Sequence, residues 1–293
     1  MRKSVTLTST SKKSGSKIDR HLIPNWGAYL IVALFIMVEL FPLLWMVSTS
    51  FKQPGEYFNS NVKWLPSVPT LDHYANIFSS LQFGGFMANS LIVTVASTFL
   101  AVVFGMFGAY ALARFETGGP LLSFTILLQR MAPPIVIVIP LFLLFSNLGQ
   151  LDTLGALIFA YVGANLPFAL WLLKGFFAEV PSELEEAGLI DGCSRFGALW
   201  KIVMPLAAPG VVATSVLVAV QAWNEFFLAV ILTNSPNSQT LPVAISTLIV
   251  PVVDIQWGEM SAAAVLAIIP VFIFALFVQR RLVEGLTGGA VKG

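Results

Sequence analysis

The sequence predicts an all-α integral membrane protein, and three observations support this fold class. Of the 293 residues, 57% are hydrophobic and only 11% are charged, and the mean hydropathy is +0.84. A soluble domain of this composition could not cover its surface with polar groups. Apolar stretches of about 20 residues, the length that crosses a bilayer as a helix, recur along the chain. We therefore expect a protein that crosses the membrane several times.

Six apolar stretches are candidate transmembrane helices, which together predict a six-helix domain over residues 26–278. They cover roughly residues 26–47, 86–113, 121–145, 154–173, 207–233 and 260–278. Pro133, Pro134 and Pro140 lie in the third stretch and Pro167 in the fourth. Because proline lacks a backbone donor, we expect these helices to kink or open locally, as helices that line solute cavities often do.

The two ends of the chain are predicted to be cytoplasmic tails. Residues 1–25 are basic and rich in Ser and Thr, and they lack the short apolar core of a signal peptide, so we expect a disordered tail. Residues 279–293 form the second tail. With the amino terminus inside, thirteen Lys and Arg residues fall on internal segments, and only Lys52 and Lys63 fall outside. The positive-inside rule then places both termini in the cytoplasm.

A polar loop, residues 174–206, separates the fourth and fifth stretches and is predicted to be cytoplasmic. Ser182 followed by Glu185 fits a capping box, which predicts a helix start. Gly192 then fits a helix stop. A second helical stretch follows, with four apolar residues predicted on one face: Phe196, Leu199, Trp200 and Val203.

Two interpretations of this loop are possible. Two short helices around a glycine turn would form a compact docking element outside the membrane. The alternative is an amphipathic helix lying on the lipid surface. Four acidic residues between Ser182 and Asp191 argue against the alternative, because the cytoplasmic leaflet is itself negative.

The same loop carries a motif typical of a known family. Glu186, Ala187 and Gly188 are followed at the motif's spacing by Gly192 and then by the run from Ile202 to Pro205. This pattern resembles the EAA motif of permease subunits of binding-protein-dependent ABC importers, with Gly188 in place of Ala and Met204 in place of Leu. The resemblance implies that the loop contains a coupling helix seated on an ATPase. The implied contact residues are Glu185, Glu186, Ala187, Gly188, Asp191, Gly192, Ile202 and Pro205.

Other segments are similar to the carbohydrate-uptake branch of that family, and to the smaller permease of the maltose-type transporters. They lie at residues 42–52, 89–93, 113–116, 148–153 and 222–229. The resemblance implies a type I ABC importer (MetI-like) permease fold with six transmembrane helices and a cytoplasmic coupling helix. It also implies an inner membrane of a prokaryote as the location.

The implied partners are a second permease that forms a heterodimer with this chain, two ATPase subunits as a homodimer, and an extracytoplasmic solute-binding protein. The solute would be a sugar, polyol or glycoside. The chain has no Gly-x4-Gly-Lys-Ser/Thr phosphate loop, so we expect ATP and Mg to be held by the partner ATPase and no cofactor by this chain. No metal or catalytic residue is predicted, and a net charge of +1 makes nucleic acid an unsuitable partner.

Polar residues inside the predicted spans are candidates for the solute path, because they are costly at bilayer depth. Helical spacing places Gln221, Asn224 and Glu225 on one side of the fifth span, with Trp223 beside them. Amides and carboxylates bind hydroxyl groups, and an aromatic face packs on a sugar ring. The candidate path residues are Asn89, Asn165, Gln221, Trp223, Asn224 and Glu225.

These polar groups could also serve helix packing, and Glu39 could pair with Arg130. A membrane enzyme acting on a lipid-linked or glycosidic substrate could instead use Glu39 or Glu225 as acid or base. We expect a non-catalytic transport subunit, because the carboxylates are scattered over different depths. A single-chain secondary transporter is less attractive, because no inverted repeat is evident.

Overall fold

The computed structural model describes residues 26–57, 61–79, 82–115, 117–131, 133–248 and 256–290, with the backbone alone at 120, 127, 130 and 277–290. The regular structure of these ranges is helical throughout. The predicted tail at 1–25 lies outside the described residues. Residues up to Leu44 and residues from Trp45 onward form two units. The described part of the first unit is apolar helix with exposed side chains.

The second unit contains the end of α1 (Trp26–Ser50) and all later elements. A short 3-10 turn follows α1 at Pro54–Glu56. The remaining elements are α2 (Asp72–Ser79), α3 (Phe83–Arg114), α4 (Gly119–Met131), α5 (Pro134–Asn147), α6 (Leu154–Glu179), α7 (Ser182–Ile190), α8 (Arg195–Ala198), a π-helical turn (Leu199–Val203), α9 (Met204–Trp223), α10 (Phe227–Leu232), α11 (Leu241–Thr247) and α12 (Trp257–Ala290).

Five helical segments of the described chain are long and apolar enough to cross a membrane. They are Trp26–Ser50, Phe83–Arg114, Leu154–Glu179, Arg195–Trp223 and Trp257–Leu276. The third predicted span is divided instead into α4 and α5, and α5 has Pro133 as its N-cap residue. Proline thus divides this region, as predicted, whereas α6 continues through Pro167.

One predicted span is interrupted in the structure. The stretch 207–233 is not one helix, because α9 ends at Trp223 and α10 begins at Phe227. The polar residues between them interrupt the apolar run. At the carboxyl end, α12 continues as helix to Ala290, so the predicted tail from residue 279 is helical over most of its length.

The core of the second unit is built around α3. This helix of 32 residues contacts α6 most extensively and also contacts α9, while α12 packs on α9. At 1.5 Å per residue, α3 is about 48 Å long. Its first turn lies against α2 and its last turn against the α7 region. The two ends of α3 therefore lie in different parts of the second unit, and each end has its own cluster of polar contacts.

Candidate functional site

The helices α7 and α8 and the π-helical turn, residues 182–203, form a helical projection that we call the knob. Gly192 ends α7 with φ of +87°, a backbone conformation that glycine adopts without steric cost. The Cys193 amide donates to the Gly188 carbonyl at 2.9 Å. Ser194 then caps α8, because its hydroxyl accepts from the Gly197 amide at 3.1 Å. The predicted pair of helices around a glycine turn is present in the structure.

Glu185 fixes the knob to the end of α3. Its side chain is buried, and its carboxylate accepts hydrogen bonds from the Tyr110 hydroxyl and, at 2.8 Å, from Arg114 Nε. Arg114 also donates to the Val180 carbonyl at 2.8 Å. A buried carboxylate is stable only with such partners. Glu185 therefore faces inward to α3, although the motif resemblance groups it with the residues that contact an ATPase.

The capping box predicted at Ser182 is not formed. Pro181 occupies the N-cap position, and no side chain caps the helix there. The reason is that Glu185, the second member of the predicted box, is already paired with Tyr110 and Arg114. No local pattern indicates this pairing, because Tyr110 and Arg114 lie more than 70 residues earlier in the chain.

The apolar face predicted for the second helical stretch of the loop is also divided. Leu199 and Val203 are buried, whereas Phe196 and Trp200 are exposed. The π-helical turn at Leu199–Val203 changes the periodicity on which the prediction depends. Phe196 stacks on Phe107 with ring centroids 6.3 Å apart.

The remaining motif residues divide into an inner and an outer set. Gly188 is buried, and a Cβ at this position would collide with Ile202 Cδ1, so the two residues hold α7 against the π-helical turn. The outer set is exposed and includes Glu186, Ala187, Asp191, Gly192 and Pro205. Four large apolar side chains are exposed on the same knob: Leu184, Ile190, Phe196 and Trp200.

A cavity of about 550 Å³ lies among α4, α5, α6, α9 and the break before α10. Four of the six predicted path residues line it, namely Asn165, Gln221, Asn224 and Glu225. Gln129 joins them from α4. The cavity volume lies within the range of about 300–1,000 Å³ that is usual for small-molecule sites.

The helix break shapes the wall of this cavity. The Glu225 carboxylate accepts from the Leu228 amide at 2.9 Å and from the Ala229 amide at 3.3 Å. It thereby provides hydrogen-bond acceptors for backbone amides in the first turn of α10. The Tyr161 hydroxyl donates to the Glu225 carbonyl at 3.2 Å. The amide groups of Asn165 and Asn224 donate to carbonyls of their own helices, Tyr161 and Val220. Glu225 is thus a capping group as well as a lining residue.

Trp223 and Asn89 lie outside this cavity. Trp223 is turned toward α12, where its Nε1 donates to the Ala267 carbonyl at 3.1 Å. It lines a separate, mainly apolar cavity of about 520 Å³. Asn89 donates both amide hydrogens to backbone carbonyls, those of Pro236 at 3.0 Å and Gln239 at 2.9 Å. Neither side chain contacts the polar cavity.

The Asp152 side chain holds residues 234–238, which follow α10, and we call this set of contacts the latch. Its carboxylate accepts from the amides of Asn234 at 2.7 Å and Ser235 at 2.9 Å, and from the Ser238 hydroxyl. Burial acts to raise the pKa of Asp152, but these hydrogen bonds outweigh it, so the pKa lies well below its ordinary value. Residues 148–153 carry part of the family resemblance, and the latch gives that segment a structural role.

The proposed pair of Glu39 and Arg130 stays a prediction. Glu39 is exposed in the first unit, and the Arg130 side chain lies outside the described atoms. Within the described residues, no group of three His, Cys, Asp or Glu side chains is arranged to hold a metal ion.

The fold and these features define a helical membrane transport subunit. It has a polar cavity between its helices, and the knob projects from the helical core. The chain belongs to the family described as "Binding-protein-dependent transport system inner membrane component", which matches residues 101–288. It is a non-catalytic permease subunit of an ABC importer of the inner membrane. The membrane-enzyme alternative is not supported.

Similar proteins cover nearly the whole chain. The diacetylchitobiose uptake system permease protein DasC of Streptomyces coelicolor is 37% identical over 92% of this chain and 97% of its own length. The trehalose/maltose transport system permease protein MalG of Thermococcus litoralis is 37% identical over 90% of this chain and 96% of its own length.

A solved structure supports the fold. It comes from a bacterial ABC transporter involved in the import of the acidic polysaccharide alginate. The TM-score is 0.75 at 24% identity, with 93% of this chain and 99% of that chain covered. At this identity the likeness concerns the MetI-like permease fold alone.

Proposed function

We propose that this chain forms half of the solute path of an ATP-driven carbohydrate importer and couples to a separate ATPase through the knob. The observation that carries the proposal is the division of the knob into two faces. Glu185 and Gly188 bind it inward to the permease, while Glu186, Asp191 and exposed apolar side chains face outward. An exposed apolar patch with charges at its border is typical of a protein interface.

The proposed architecture has six membrane crossings, in which α4 and α5 together supply the crossing that the five long helices do not. Both termini are cytoplasmic, since thirteen internal Lys and Arg residues outnumber two external ones. The knob then lies in the cytoplasm and residues 52–81 lie outside. This arrangement places the coupling helix on the side where ATP is available.

The proposed assembly contains a second, related permease, two copies of an ATPase subunit and an extracytoplasmic solute-binding protein. ATP and Mg are held by the ATPase. Membrane lipid surrounds the apolar helices, and the exposed side chains of α1 suit such contact.

The solute is proposed to be a sugar, polyol or glycoside. The amides of Gln129, Asn165, Gln221 and Asn224 line one cavity, and amide groups hydrogen-bond hydroxyl-rich molecules without a charge. The names of two relatives point in the same direction, since they specify diacetylchitobiose and trehalose or maltose.

Co-purification tests the coupling role. The tagged chain is expressed with its partner permease and ATPase, and Glu186→Lys is compared with Asp72→Lys, which makes the same charge change on an exposed residue at the other end of α3. We expect Glu186→Lys to reduce the recovered ATPase at least about tenfold and Asp72→Lys to leave it unchanged. Equal recovery with both variants would contradict the coupling role.

Uptake into proteoliposomes tests the solute path. Asn224→Ala removes an exposed amide from the cavity wall and is expected to lower the rate of disaccharide uptake while the ATPase still co-purifies. Asn89→Ala serves as a contrast, because Asn89 binds backbone carbonyls away from the cavity. If Asn224→Ala transports at the wild-type rate across disaccharide concentrations, the cavity is not the path.

A further inference from the structure

A third pocket lies at the end of α3 opposite the knob, where α1 ends. It encloses about 240 Å³. Its lining residues come from the end of α1, the following loop and the start of α12: Trp45, Thr49, Lys52, Glu56, Tyr57, Val62, Lys63 and Trp257. The transport role proposed above assigns no function to this pocket.

The central group of this pocket is the ammonium of Lys52. The residue is only 2% exposed, and Nζ lies 3.9 Å from the centroid of the Trp45 ring. Trp64 packs against Trp45 in a T-shaped arrangement with ring centroids 5.5 Å apart. Among the described residues, no carboxylate lies within ion-pair distance of this ammonium. A buried cation therefore relies on one aromatic face, which offsets only part of its lost hydration.

The pKa of Lys52 agrees with this picture. Burial lowers it below its ordinary value, and the nearby charge of Glu56 opposes that effect only in part. An added anion beside the ammonium would restore the pKa and stabilise the charged form.

The backbone around Lys52 is held firmly. Its carbonyl accepts from the Tyr57 hydroxyl at 2.9 Å and lies 2.8 Å from His73 Nε2. His73 Nδ1 in turn lies 3.1 Å from Glu259 Oε1, which connects α2 to α12. Burial and the neighbouring Glu259 and Glu56 charges raise the pKa of Tyr57 to about 12, so its hydroxyl stays protonated and remains a donor. The Lys52 side chain therefore extends from a backbone position that hydrogen bonds hold in place.

Thr49 supplies a second polar group that points to a ligand. Its side chain is 7% exposed, and Oγ1 has no hydrogen-bond partner among the residues that the structure describes. Glu56 is already engaged, because its carboxylate pairs with Lys63 at 3.2 Å and accepts from the Ser67 amide at 3.1 Å. The lining thus carries two ammonium groups and one occupied carboxylate, a net charge that favours an anion.

We propose that this pocket receives one carboxylate, supplied by an acidic side chain of the extracytoplasmic solute-binding protein. One carboxylate oxygen contacts the Lys52 ammonium and the other accepts from the Thr49 hydroxyl, while the aromatic walls cover the methylene stem. This inference rests on the proposed function, which places residues 52–81 outside the membrane.

Two features favour a protein side chain over a whole solute. The pocket volume is below the roughly 300–1,000 Å³ that small-molecule sites usually occupy. The segment at its mouth also exposes five large apolar side chains, as a docking surface would: Val62, Trp64, Leu65, Val68 and Leu71. The same segment carries Lys63, whose side chain is 41% exposed, and a positive border steers an acidic partner.

A small carboxylate probe tests the pocket itself. The full chain in phosphatidylcholine nanodiscs is reductively methylated with carbon-13, and the Lys52 signal is assigned by its loss in Lys52→Arg. We expect this signal to shift saturably with propionate, not to shift with propionamide at equal ionic strength, and to shift less in Thr49→Val. The site is overturned if propionate and propionamide act alike. Asp254 is a carboxylate of this chain that precedes Trp257 by three residues and lies outside the described residues. The site is also overturned if Asp254→Asn alone moves the signal, or if phosphatidylglycerol in the nanodisc abolishes the propionate response.

The occupant is tested on the assembled transporter. Binding of its own solute-binding protein is measured for wild type, Lys52→Gln, Lys52→Arg and Lys63→Gln. We expect Lys52→Gln to weaken binding at least about tenfold, Lys52→Arg to retain most of it, and Lys63→Gln to have the smaller effect of a border charge. Wild-type affinity in Lys52→Gln, with uptake intact, overturns the inference and leaves the proposed function standing. If the wild-type complex neither binds that protein nor imports a solute, both fail.

Discussion

Replacing Glu185 by Gln should detach the knob from α3 while leaving its outer surface chemically unchanged. The side chain is 5% exposed and Arg114 is 10% exposed, so water cannot easily replace the lost pairing. Removing one partner of a buried ion pair costs about 3 kcal/mol or more. Gln keeps one acceptor for Tyr110, but its amide cannot satisfy Arg114 Nε.

Hydrogen exchange of the α7 amides measures this effect directly, because exchange reports local opening. A cost of about 3 kcal/mol corresponds to roughly a hundredfold faster exchange over Ser182–Ile190. Exchange within α3 away from its last turn should not change. The matched control is Glu186→Gln, one residue further along and exposed, for which we expect rates close to wild type.

The result that would refute this reasoning is equal protection of α7 in the two variants. A double-mutant cycle adds a second check. If Glu185 and Arg114 act as one unit, then Arg114→Met combined with Glu185→Gln costs clearly less than the sum of the single variants.

Three further predictions concern the knob and the latch. Gly188→Ala should lower stability by about 1 kcal/mol through the contact with Ile202 Cδ1, and adding Ile202→Val should restore the melting temperature. Ser194→Ala should cost about 1 kcal/mol of local stability, seen as faster exchange of the Gly197 amide, because it removes the α8 cap. The depressed pKa of Asp152 means that its carboxylate adds stability above its ordinary pKa, near 4, which is lost as pH falls toward the folded value. Thermal melting between pH 6 and pH 3 should therefore decline less steeply in Asp152→Ala than in wild type, and equal slopes would contradict the latch.

Much of the architecture could be predicted because hydropathy and charge act locally. Spans of apolar residues, the glycine turn at Gly192 and the polar face of Gln221, Asn224 and Glu225 all depend on residues close together in sequence. The cavity brings that face together with Asn165, which also lies in a predicted span. Each residue could be chosen from its own local sequence, whereas the meeting of α6 with the end of α9 is seen only in the structure.

Sequence and structure differ where a distant residue competes with a local pattern. Glu185 satisfied the spacing of a capping box, yet turning it to the helix start would leave the buried Arg114 without its partner, which costs more than a missing cap at an exposed helix start. Trp223 lies between two cavity residues in sequence, but its indole needs a hydrogen-bond partner when buried and finds one at the Ala267 carbonyl. The Asn89 amide also has a distant partner, because it donates to the Pro236 carbonyl in the loop after α10.

The continuity of α8, the π-helical turn and α9 has a mechanical consequence. Together they form one helical run, Arg195–Trp223, of 29 residues, or about 43 Å at 1.5 Å per residue. One end belongs to the knob, and the other ends at the break beside Asn224, on the wall of the polar cavity. Such a rod acts as a lever: tilting it by about 5° around the knob would sweep the cavity wall through about 4 Å. The interruption of the helix at Asn224–Phe226 gives the α9 part of that wall, which carries Gln221, a point about which it can turn relative to α10, whose start is capped by Glu225.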